Sequence, residues 1–89
     1  MKLHIHVHEI KETVEVKDAA DALRQFKQEA AKRAPFMLRP FINSMSDIAF
    51  AAEAVKRSNV ELKREDPPPA SAQQFLDWAV ERGFVSVEP

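Results

Sequence analysis

Met1-Lys2-Leu3-His4-Ile5-His6-Val7-His8 alternates apolar and polar side chains along its whole length. In an extended chain successive side chains point to opposite faces, so Leu3, Ile5 and Val7 share one face and the three histidines share the other. Such a strand packs one face on a core and leaves the other to water, which commits the fold to a sheet covered on one side. Residues 9–12, Glu-Ile-Lys-Glu, interrupt the pattern, and Thr13-Val14-Glu15-Val16 resumes it. Two such runs in succession predict a β-hairpin, although the link carries no Gly, Asn or Asp to favour a tight turn. Ile10 is expected to fold back over the core edge.

Beyond the hairpin the period changes from two to about 3.6. Asp18 is the expected N-cap of a helix reaching about Arg33, with Asp21 in the acidic third position. Its apolar face is Ala19, Leu23, Phe26 and Ala30, its last turn carries Lys32 and Arg33, and Pro35 stops it. The link that follows, residues 34–42, holds five large apolar side chains: Phe36, Met37, Leu38, Phe41 and Ile42. Connections seldom have this composition. It is expected to be an apolar arm laid across the core or to contain a short helical turn. Arg39 within it should snorkel or pair with a carboxylate.

Phe41, Met45, Ile48, Ala52 and Val55 step by four and three, predicting a middle helix that starts near Pro40 or, in a shorter reading, after Ser44. Phe50 and Ala54 lie off that stripe. The helix is therefore apolar over more than half its circumference and needs burial on two sides. Lys56-Arg57-Ser58-Asn59 is its expected end, with Asn59 in the left-handed position. Val60-Glu61-Leu62-Lys63 reads as a short strand, and residues 64–69 as a proline-stiffened connector. Ser71 and Gln74 open a last helix whose apolar face is Ala72, Phe75, Leu76, Ala79 and Val80. Gly83, the one glycine of the chain, terminates it, and Val85-Ser86-Val87 is the final strand. The expected fold is thus a single α+β domain over residues 1–89. It is a two-layer sandwich of order β-β-α-α-β-α-β, with a small antiparallel or mixed sheet and helices on one face.

Composition narrows the function. The chain has 89 residues, no cysteine and no tyrosine, and a formal net charge of −1. The missing thiol excludes a disulfide framework, a Cys nucleophile and a Cys-based zinc site. One glycine excludes a Gly-rich phosphate loop. The five serines read as caps, turn residues or strand surface, so enzymatic activity is not the expectation. No leader or membrane-spanning pattern stands out, and the cytoplasm is the expected compartment.

Three functional readings follow. The first is a non-enzymatic protein-interaction or structural module that self-associates, with a dimer expected. Its interface residues would be Phe36, Met37, Leu38, Phe41, Met45 and Phe50, with Trp78 as an aromatic anchor or a core-edge seal. The second is a nucleic-acid-binding regulator using the 56–64 cluster of Lys56, Arg57, Lys63 and Arg64, in which Val60–Lys63 would begin a wing. Glu61, Glu65 and Asp66 dilute that cluster and are expected to be solvated. The third is a metal-binding protein holding zinc or another divalent transition metal on His4 and His6, the one cofactor the residues suggest. His8 lies about 13 Å from His4 along a straight strand at roughly 3.3 Å per residue. Ligand nitrogens on one ion lie about 3–4 Å apart, so a third ligand would have to be Glu9, Glu15 or a histidine of another chain.

Overall fold

The computed structural model describes residues 1–7 and 10–88, without the side chain of Ile10. The expectations for His8, Glu9 and the Ile10 side chain therefore lie outside the described residues. Strand β1 (Lys2–Val7) is central in a three-stranded antiparallel sheet, with β2 (Ile10–Glu15) on one side and β3 (Val85–Glu88) on the other. Leu3 stands opposite Val14 and Val87, and Ile5 opposite Val85 on one side and Glu12 on the other, so the apolar alternation of β1 is matched along β3 and, at Leu3, along β2. A one-residue slip would turn this whole set to solvent, which is why the register is strongly specified. Lys11 and Glu12 belong to β2, because ladder bonds to β1 hold an extended chain even where side-chain alternation lapses.

Helix α1 (Ala19–Arg33) is capped as its sequence implies. The Asp18 side chain accepts from the Asp21 amide at 2.8 Å, and the Asp21 carboxylate accepts from the Lys17 amide at 2.9 Å. A second bond to the Arg24 guanidinium reinforces the Lys17 contact, and together they hold the Asp21 carboxyl below its usual range. Helix α4 (Ala72–Glu81) begins on Ser71, whose hydroxyl accepts from the Gln74 amide at 3.2 Å, while Gln74 reaches back to the Ala70 amide. It ends on Gly83 at φ +80°. Phe84 N–H donates to the Ala79 carbonyl and Gly83 N–H to the Val80 carbonyl, the paired bonds of a Schellman stop. That stop turns the chain directly into β3.

The middle of the chain departs from expectation in three ways. First, there is no continuous helix from Phe41. Phe36–Leu38 forms a 3-10 turn and Arg39–Ser44 a short helix, α2, before Met45 goes extended. Ser46, not Ser44, caps helix α3 (Asp47–Leu62), accepting from the Ala49 amide at 3.1 Å. Second, this break rotates α3, so that its core face is Ala51 and Val55 flanked by Phe50 and Ala54, and Ile48 is exposed. Third, Val60–Lys63 is not a strand. Val60 and Leu62 are exposed, so a four-residue alternation had nothing to bury, and the helix runs on until Lys63 takes the left-handed conformation at φ 55°. The order is therefore β-β-α-α-α-α-β. Asn59 remains helical and spends its side chain elsewhere.

The helices share the apolar side of the sheet with two neighbouring cores. One joins Leu3, Val16 and Val85 to Ala22, Leu76 and Ala79; the other joins Leu23, Ala51, Val55 and Phe75 among the helices. Phe26 and Trp78 pack against both. A row of aromatic rings runs along their border: Phe26 to Phe75 at 5.9 Å, Phe75 to Trp78 at 5.7 Å and Trp78 to Phe84 at 5.4 Å between centroids.

Candidate functional site

The residues from Pro35 to Phe41 form a hook at the end of α1, and most of its apolar surface faces solvent. Phe36 is 82% exposed, Met37 87%, Leu38 49% and Phe41 64%. The projecting apolar side chains do not set the shape of this segment; two prolines and two cations do. Pro35 and Pro40 restrict their own φ and the conformation of the residue before each. Arg39 donates to the Lys32 carbonyl at 3.1 Å and, more weakly, to the Ala34 carbonyl at 3.4 Å, satisfying acceptors at the open end of α1. Arg39 thus pairs with backbone, neither snorkelling alone nor meeting a carboxylate. At the far end of α2, Lys27 of α1 donates to the Met45 carbonyl and reaches the Asp47 carboxylate at 3.4 Å. The segment from the hook through α2 is thus tied at both ends to the same helix.

Next to the hook lies a cleft of about 390 Å³ walled by Ala34, Leu38, Phe41, Met45 and Phe50, with Glu53 and Arg57 among its lining residues. Of the interface residues expected from sequence, Phe36, Met37, Leu38 and Phe41 make the projecting surface, while Met45 and Phe50 are half-buried beside it. Trp78 is elsewhere. It stands in the aromatic row, half-buried, and its indole N–H donates to Asp66 at 3.0 Å.

Asp66 is the centre of a second constellation and is not the solvated residue expected. It is 14% exposed and faces Arg82, itself 17% exposed, through bonds of 2.8 and 3.0 Å to its two carboxylate oxygens. The Asn59 side chain clamps its backbone at both groups, donating to its carbonyl at 2.8 Å and accepting from its amide at 3.0 Å. The Arg82 guanidinium, followed by the Trp78 indole, holds the Asp66 carboxyl below its ordinary value, and Asp66 raises Arg82 in return. This network staples the proline connector to α3 and α4. No sequence pattern announced it, because Asn59, Asp66, Trp78 and Arg82 meet only in three dimensions.

That staple also draws on the basic cluster. Arg64 lies 3.7 Å from Asp66, and Arg57 lies 3.6 Å from Glu53 on its own helix. Lys56 and Lys63 are exposed on and just beyond α3. The helical path of residues 60–62 removes the strand of the expected wing.

His4 and His6 both lie on the uncovered face of the sheet. The His4 ring spans all three strands, with Nδ1 3.0 Å from the Thr13 hydroxyl and Nε2 2.8 Å from the Glu88 carboxylate. A hydroxyl, an imidazole and a carboxylate are the parts of a nucleophilic relay, but these lie flat on an open sheet where water competes for each of them. Their effect here is to stitch both edge strands to the central one. His6 stands opposite Lys11. Among the described residues no group of three or more His, Asp or Glu side chains could hold a metal ion. Nor is any described helix long and apolar enough to cross a membrane.

Comparison with protein-family profiles, with curated proteins and with solved structures gives no match.

Proposed function

We propose that this chain is a small interaction module that associates with its own copies through the hook. The observation that carries the reading is the exposure of Phe36, Met37, Leu38 and Phe41 on a segment that, together with α2, is hydrogen-bonded to α1 at both ends. At about 150–250 Å² per aromatic side chain, Phe36 and Phe41 alone present roughly 200–350 Å² to water. Met37 and Leu38 bring the patch into the range of about 300–600 Å² typical of the largest and often functional patches on single chains. The bonds from Arg39 and Lys27 to backbone carbonyls restrict the segment and lower the ordering entropy that binding costs.

A second copy is the favoured partner because the hook and the apolar cleft of Phe41, Met45 and Phe50 adjoin each other. A projection beside a recess is self-complementary across a two-fold axis, each hook entering the other's cleft. The outer side of α3, with Ile48, Ala49, Ala52 and Val60, offers further apolar surface of the kind the sequence pattern demanded be covered. Sedimentation equilibrium from submicromolar to high micromolar concentration tests this: mass should rise with concentration in the native chain and stay monomeric in the double variant F36E/M37E. A monomer at every concentration would overturn it.

A further inference from the structure

The border between the two cores opens into a cleft of about 220 Å³, distinct from the one beside the hook. Phe26, Phe50, Phe75, Trp78 and Phe84 contribute to its wall, with Ile5 and Val7 of β1 closing one side. Among the described residues its polar lining is Glu12, Glu29 and Arg33. Arg33 pairs with Glu12 and lies 3.7 Å from Glu29, so the rim holds two carboxylates and one guanidinium.

We infer that this cleft is a binding site for a small aromatic amine, its ring among the phenylalanines and Trp78 and its ammonium group at the Glu12–Glu29 rim. Three features fix the class. A cavity of about 150 Å³ takes a benzene ring, so a cleft of about 220 Å³ accommodates one ring with a short side chain. Aromatic walls favour an aromatic guest, because rings meet edge-to-face or offset at the spacings already seen between these side chains. Among the described residues the rim carries one more negative than positive charge, which attracts a cation and disfavours an anion. Phe36 and Met37 are absent from this cleft's lining, while Ala30, Phe50 and Ala54 also line the cleft beside the hook, so the two recesses adjoin.

Trp78, the one tryptophan of the chain, lines the cleft and reports on it. Its emission, excited where a phenyl ring does not absorb, should be titrated with phenethylammonium, phenethyl alcohol and phenylpropanoate, which differ chiefly in the charge of the head group. Saturable changes are expected, with phenethylammonium binding roughly three- to tenfold more tightly than phenylpropanoate. Glu29→Gln should shrink that ratio and keep the alcohol's affinity. Ala54→Leu should fill the cleft and abolish the response while far-UV circular dichroism stays native; should it fail to fold, the Glu29→Gln comparison decides. Absence of saturation with every probe, equal affinity for all three, or binding unchanged in folded A54L would each overturn the proposal. So would binding that is much tighter in F36E/M37E than in the native chain at associating concentrations, which would make the hook of a second copy the occupant.

Discussion

Two residues show how a single backbone angle sets the limits of an element. Gly83 occupies φ +80° with nothing within 4 Å of where a Cβ would stand, so its requirement is conformational alone. Gly83→Ala should therefore cost about 1–2 kcal/mol, the left-handed penalty, with no added clash. Lys63 holds φ 55° without being glycine. Lys63→Gly should relieve that strain, offset in part by greater freedom of the unfolded chain, for a net gain of about 0.5–1 kcal/mol. Denaturant melts of the two variants check both signs. Asp66 sets a third, pH-linked expectation. Its folded-state value lies below the ordinary 3.8 because Arg82 and Trp78 bond its ionised form. Its stabilising contribution is thus fully present above that ordinary value and disappears as pH falls through the lowered one. Asp66→Asn should melt at lower temperature than the native chain at neutral pH, and the gap should narrow in acid. A gap that widened on acidification would contradict the assignment.

At the scale of elements, the hook is where sequence and structure diverge most usefully. The alternation of Leu3, Ile5 and Val7, the Asp18 and Ser71 caps and the Gly83 stop are local signals, and each element they mark is present. The boundary between α2 and α3 is not local. Phe41, Met45, Ile48 and Ala52 fit one helical stripe on paper, but Lys27, distant in sequence, ties the Met45 carbonyl and Asp47 at the break. Similarly, Val60–Lys63 alternates like a strand yet lacks a neighbouring strand to pair with, and propensity over four residues yields to the helix already formed. The apolar excess of residues 36–42 was legible as a surface needing cover, whereas the clamp that shapes it was not. Arg39 makes that clamp testable. Arg39→Ala removes two bonds to the end of α1, and at ~1 kcal/mol net it should weaken association about fivefold. The dilute chain's melting temperature should fall as well, by at most about 4–8 °C. Dissociation constants from sedimentation, set beside melts of the dilute protein, separate these effects.

For the whole molecule, the decisive fact is a small core split in two. Leu3 is fully buried and is among the few large side chains so placed. Leu3→Ala should cost about 2–5 kcal/mol, a large share of the roughly 5–13 kcal/mol that a domain of this size holds in all. A chain with so thin a margin gains from any contact that its folded form alone can make, and mass action would then raise its stability with concentration. Association through the hook is the central claim, and the methionines report on it directly. Met1, Met37 and Met45 are the three in the chain; Met37 sits on the hook, Met45 in the cleft beside it, and Met1 at the start of the sheet. In a methyl-labelled methionine spectrum followed by dilution, the Met37 and Met45 signals should shift or broaden with concentration while Met1 stays fixed. Three signals that remain unchanged from the dilute to the concentrated sample would contradict the account.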